Sequence, residues 1–280
     1  MVGGTGECVR GATRQHDRVR TQDRPSRRLQ GRSGVQQVGT ARLERKYRGS
    51  RGVYFSRTED RAVLRGISPG AKYALDLGTG AGRFAFLLAG CAEFAIGVDI
   101  RIDGLEVAKD RIPEGTRVAF ANMEGATLGF RSESFDLVTA VGTFECTQDL
   151  RPILREVARV LAADGYVIFT CWNEARWPKL ELLDRRAPGS VLWSAEDVRA
   201  QTEQCGLTVA GIESIFFLPR RLLWWSYRSL LVEPLRRILI ARSVWLEGRC
   251  SQSAAWAMAG RVLVVRAKKA RVNEVADQHR

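Results

Sequence analysis

ALDLGTGAGRF, residues 74–84, sets an acid and three alternating glycines directly behind an apolar run: Asp76, Gly78, Gly80 and Gly82. A glycine loop between a strand and a helix lets a ligand approach the backbone and lie at the positive helix N-terminus. Spacing separates the ligands that such a loop can serve. A phosphate loop needs G-x-x-x-x-G-K-[ST], and no Lys-Ser/Thr pair follows, which excludes a nucleoside triphosphatase. The dinucleotide fingerprint G-x-G-x-x-G fails at its last position, where Arg83 stands. What is present is D-x-G-x-G-x-G.

The flanking sequence reads as alternating strands and helices. Apolar strands are expected at 72–78, 93–100, 117–123, 135–141 and 165–172, with helices at 82–90, 103–112 and 150–165 between them. Ile153, Leu154, Val157, Val160 and Leu161 fall at helical spacing in the last of these. Strands apolar throughout and separated by helices imply a parallel sheet covered on both faces. A helix over 56–67 is expected to start at Ser56 or Thr58, with Glu59 and Asp60 in its first turn. Ser194 and Asp197 open another as a capping box. Residues 207–219 and 260–269 read as the last two strands. Asp99 ends the second strand, 17 residues after Gly82, where a carboxylate can accept both hydroxyls of a ribose.

LDLGTGAGRF, GVDI, SFDLVTA and LREVARVLAADGYVIF, in this order, resemble the successive motifs of class I S-adenosylmethionine-dependent methyltransferases, in the branch of quinone and small-molecule C-methyltransferases. The resemblance runs over residues 70–175. It implies a Rossmann-like, doubly wound, seven-stranded, mostly parallel α/β sheet with an antiparallel last strand, and S-adenosyl-L-methionine as cofactor. It also implies that Gly78, Thr79, Gly80 and Gly82 pack against the methionine and ribose portion, with Asp76 orienting the amino end directly or through water. Asp99 would grip the ribose, Ile100 would lie against the adenine, Met123 would pack on the ring, and Ala140 would be a further cofactor-binding position. The family usually places Asp where this chain has Asn122, whose side-chain carbonyl can still accept a proton from the adenine amino group.

The acceptor is to be sought after the fourth strand, in AVGTFECTQD, because substrate meets cofactor at the carboxyl ends of the strands. The Asn/Asp-Pro-Pro-aromatic motif of enzymes that methylate nucleobase or glutamine amino groups is missing there. The quinone-like branch commonly carries Glu-His, where this chain has Glu145-Cys146. Glu145 is the candidate base or substrate-binding group, the alternative being a structural ion-pair residue. The expected function is methyl transfer to a small-molecule or lipid-like acceptor at C, O or N. The alternatives are an NAD-linked Rossmann oxidoreductase and a non-catalytic S-adenosylmethionine-binding protein.

Three segments lie outside the motif core. Residues 1–45 read as a disordered basic head: residues 1–51 hold 13 Lys and Arg against 4 Asp and Glu, out of a whole-chain net charge of +13. The charge also permits an RNA substrate, though nucleic acid is not the expected partner. The methyltransferase domain is placed at 46–270 and a polar tail at 271–280. Within the domain, an insertion at 220–258 interleaves Trp224, Trp225, Tyr227 and Trp245 with arginines. It reads as a helical cap, as a lid over an apolar acceptor, or, through 220–248, as a peripheral contact with an anionic membrane surface. No run of about 18 apolar residues occurs. Six scattered cysteines and two histidines suggest reduced thiols, no metal site and a cytoplasmic compartment.

Overall fold

The structure, a computed structural model, describes residues 49–175, 190–217, 233–252 and 259–270. In chain order the elements are α1 (Gly49–Arg65), β1 (Ala71–Leu77), α2 (Arg83–Leu88), β2 (Ala92–Asp99), α3 (Ile102–Asp110), β3 (Val118–Asn122) and β4 (Phe135–Ala140). A 3-10 turn (Phe144–Cys146), α4 (Arg151–Val160), β5 (Leu161–Asn173), β6 (Leu192–Trp193), α5 (Ala195–Glu203), β7 (Leu207–Ile215), α6 (Glu233–Ser251) and β8 (Val262–Lys269) follow.

The strands form one sheet in the order β3-β2-β1-β4-β5-β8-β7, with the two-residue β6 paired to β5. All pairings are parallel except those of β8, which runs antiparallel to both neighbours. The expected fold is therefore present, with β6 as an added short strand. The chain order reverses between β1 and β4, so the crevice of this sheet opens at their carboxyl ends.

One apolar cluster joins α1, α2 and α6 to a face of the sheet, through Val63, Leu64, Leu87, Leu88, Ile240 and Val244. The other joins α4 and α5 to the opposite face, through Leu154, Val157, Val160 and Val198. Pro152 sits in the first turn of α4, where its missing N–H costs nothing. The helix stops at Val160 rather than running to 165, because Leu161 is drawn into the sheet opposite Phe135. Ser194 caps α5 as expected, its Oγ accepting from Asp197 N at 3.0 Å.

The start of α1 differs from expectation. The helix begins at Gly49, and Ser56 lies inside it, its Oγ bonded back to Gly52 O at 2.9 Å. Ser56 and Thr58 are both buried, not capping. Glu59 and Asp60 consequently lie in mid-helix, where they meet a cation from another element. The basic head and the polar tail lie outside the described residues, as does most of the insertion apart from α6.

Candidate functional site

The glycine loop folds as its spacing demands. Gly78, Gly80 and Gly82 have φ of 72°, 54° and 84°, a left-handed conformation that side chains with a Cβ rarely adopt. The N–H groups of Gly78 and Thr79 both donate to Val98 O, at 2.8 and 2.9 Å, which folds the loop over the end of β2. A Cβ on Gly78 would stand 2.3 Å from Thr143 Oγ1. Thr143, in the loop after β4, donates to Leu77 O at 2.7 Å and so ties that loop to the end of β1. Thr79 turns its hydroxyl toward Gly97 and contributes backbone to the loop.

Asp76 is 2% exposed. Its Oδ1 accepts from Thr139 Oγ1 at 2.9 Å and its Oδ2 from Ala85 N at 3.0 Å. Ala85 is the third residue of α2, a helix with no side-chain cap from its own N-cap, Gly82. Asp76 therefore supplies that cap from β1 and places a negative charge at the helix N-terminus. Burial raises its pKa to about 6, against the lowering effect of the Thr79 and Thr139 hydroxyls, the Arg83 charge and the Ala85 N–H.

This shift has a measurable consequence. A carboxyl whose folded pKa is raised stabilises the fold when protonated, and that stability is lost as pH rises through the folded value, here about 6. The stability difference between the wild type and Asp76→Asn is expected to change by about 2 kcal/mol between about pH 4 and pH 7, falling on the wild-type side as pH rises. Urea melts at stepped pH would test this, and parallel curves would contradict it.

At the carboxyl edge, Asp99 stands beside Asn122 in register. Asp99 Oδ2 accepts from Gly80 N and Oδ1 from Arg101 N, both at 2.8 Å. Each oxygen keeps further acceptor capacity for a diol. Ile100, next along, is 66% exposed, a large value for an apolar side chain. Asn122 donates through Nδ2 to Asp99 O at 2.8 Å and to Ile100 O at 2.9 Å. An ionised Asp could make neither bond. Asn at this position thus braces the turn carrying Asp99 and Ile100, and its Oδ1 remains an acceptor. Met123 N donates to Asp99 O at 3.2 Å, closing the same turn.

The loop after β4 begins behind the fully buried Ala140. Gly142 N donates to Thr170 Oγ1 at 2.9 Å, and Glu145 O accepts from Val191 N at 2.9 Å. The Glu145 carboxyl folds back so that Oε1 lies 3.6 Å from where a Cβ on Gly142 would be. With Thr143 anchored to β1, this holds Glu145 near the crevice between β1 and β4. A cleft of about 340 Å³ lies at the other edge of the sheet, between Ser68, Tyr166 and Arg266, away from these residues.

Thiol chemistry finds no support among the described residues. Cys171 is buried and its pKa is pushed up to about 12 by that burial. Cys171, Cys205 and Cys250 are free. Cys91 is disulfide-bonded, so the expectation of uniformly reduced thiols does not hold there.

The residues fit S-adenosylmethionine: a backbone cradle, a diol-binding acid at the adjacent strand end, and an exposed apolar side chain beyond it. They do not fit a dinucleotide. Arg83 occupies the third-glycine position and is held by Glu59 and by Asp60, the latter at 2.6 Å.

Sequence reasoning missed Thr139, Thr143 and the Glu59–Asp60–Arg83 cluster. Thr139 carried a signal, as a polar residue among the apolar ones that follow Asp136 in its strand. The others join residues far apart in the chain and leave no local pattern.

Comparisons with known proteins agree with the geometry. The methyltransferase domain family model matches residues 75–169. An uncharacterized methyltransferase, YcgJ, of Bacillus subtilis is 37% identical over 93 residues, 32% of this chain and 37% of that protein. A demethylmenaquinone methyltransferase of Roseiflexus castenholzii is 34% identical over 123 residues, 43% of this chain and 50% of that protein. The chain thus spans half or less of the length of these curated relatives. A solved S-adenosylmethionine-dependent methyltransferase of Thermotoga maritima shares the fold, with a TM-score of 0.55 at 19% identity over 82% of this chain and 95% of that one. The fold, the loop geometry and these likenesses together identify a methyltransferase domain over residues 75–169, similar in sequence to the methyltransferases named above and sharing the fold of a solved S-adenosylmethionine-dependent methyltransferase.

Proposed function

We propose that this chain methylates a small-molecule or lipid-like acceptor, and that Asp99, Ile100 and Asn122 hold the nucleoside half of the cofactor. The observation carrying the cofactor assignment is the Asp99 carboxylate, fixed on Gly80 N at the strand edge beside the exposed Ile100. When bound, S-adenosylmethionine supplies a methyl group already electrophilic on its sulfonium, so the protein's task is alignment and exclusion of water.

Asp76 acts from behind the loop as a positioning residue, through α2 and β4. Glu145 would receive a proton at its carboxylate if the acceptor must lose one, or hold a polar group of the acceptor. The loop around Glu145 lacks the Pro-Pro-aromatic arrangement suited to planar amino groups. One relative acts, by its name, on demethylmenaquinone. Both observations favour a small or lipid-like acceptor.

Calorimetric titration of the full chain with S-adenosylhomocysteine tests the cofactor half of the proposal, and an absence of binding heat would refute it. For the acceptor half, Glu145→Gln is expected to lower kcat about 100-fold on an acceptor that must be deprotonated, with KM little changed. An unchanged kcat on such an acceptor would remove Glu145 as the base.

A further inference from the structure

From Arg237 onward, α6 is built inside out with respect to charge. The one carboxylate of this stretch, Glu247, is 1% exposed. It receives the Tyr54 hydroxyl and the N–H groups of Phe216 and Phe217, the latter two at 3.0 and 3.2 Å. The outward side presents Arg237, Ile238, Arg242, Trp245, Leu246 and Arg249, all exposed and with no acid among them. Trp245, Ile238 and Leu246 are 55%, 51% and 44% exposed, large values for apolar side chains of this size. The Arg249 guanidinium lies 5.5 Å from the Trp245 ring centroid. On α1, exposed Arg61 comes close to Gly248 and extends the positive rim.

We infer that this face of α6 docks on an anionic lipid surface. Its two halves match that surface separately. Trp245, Leu246 and Ile238 can enter the boundary between headgroups and acyl chains, while the arginines reach lipid phosphates from flexible stems. Other occupants match only one half. A second copy would set arginines against arginines, and a nucleic acid would leave Ile238 and Leu246 without apolar cover. Glu247 bonds the backbone just beyond β7, at the carboxyl edge of the sheet that also carries Asp99. Docking through α6 therefore attaches the lipid at the β7 end of that edge, five strand positions from the strand carrying Asp99. The docking itself does not depend on the methyl-transfer proposal, and cofactor titration tests that separately.

The test is co-sedimentation of the full chain with vesicles of phosphatidylcholine alone and of equal parts phosphatidylcholine and phosphatidylglycerol, at low and high salt. Wild type is expected to favour the anionic vesicles and to keep part of its binding at high salt, where the basic head alone would release. Trp245→Glu with Leu246→Glu, both at exposed sites, should lower that partitioning by about tenfold or more. Ile238→Ser gives an independent reading on the same face, should the double variant melt early. Equal partitioning of variants and wild type would overturn the inference. So would a wild type without preference for anionic vesicles, or variants whose loss appears in RNA binding or self-association instead of lipid binding.

Discussion

Asp99→Ala is expected to weaken binding of S-adenosylhomocysteine by about 10²- to 10⁴-fold, because two hydrogen bonds from ribose hydroxyls to a charged acceptor are each worth roughly 1.5–3 kcal/mol. The same change removes the acceptor for Gly80 N, whose loop geometry depends on that 2.8 Å bond. Asp99→Asn separates the two effects. Its carbonyl can still accept from Gly80 N, but its amide presents a donor where the second acceptor stood, so an intermediate loss of about tenfold is expected. Titration calorimetry reads both, and a thermal melt confirms that each variant folds, since Asp99 lies at the sheet edge and not in the core. A loss under about threefold for the alanine variant would remove Asp99 from the ribose site.

How much of this was legible in the sequence depends on how local each interaction is. The glycine spacing, the strand-ending Asp99 and the alternation of strands and helices are local patterns, and the structure realises them in the expected order. The left-handed φ values at Gly78, Gly80 and Gly82 follow directly from the residue type. The start of α1 was misplaced because Ser56 and Thr58 have the chemistry of caps, yet tertiary packing buries both within the helix. Residue identity alone also left half of Asn122's role out of sight. Set against the family's Asp it reads as an acceptor through its side-chain carbonyl, and the fold adds that its Nδ2 donates to two carbonyl oxygens, which an ionised Asp could not do. Asp76 shows the same limit from the other side. Its position in the motif suggested a ligand contact, and only the fold reveals Thr139 and Ala85 N as its partners.

Arg83 carries the second large expectation. It follows the last glycine of the loop as the first residue of α2, and its guanidinium pairs with both Glu59 and Asp60 of α1. The side chains of the three are 17%, 8% and 12% exposed, and Arg83 also lies 4.2 Å from the Phe84 ring centroid. Two adjacent carboxylates on one helix repel each other unless a cation stands between them, so Arg83 makes this face of α1 compatible with burial. Removing one charge from such a buried set costs about 3–5 kcal/mol. Arg83→Met, which keeps the stem's packing, is therefore expected to lower Tm by roughly 6–15 °C. Arg83→Lys should recover part of the loss, since an ammonium neutralises the pair but cannot fork to two carboxylates. α1 also holds α6 through Tyr54 and Glu247, so the Met variant should loosen the α1–α6 layer as well as the loop. Hydrogen exchange across residues 49–65 and 78–88 would show both, and a Met variant as stable as wild type at neutral pH would refute the role assigned to Arg83.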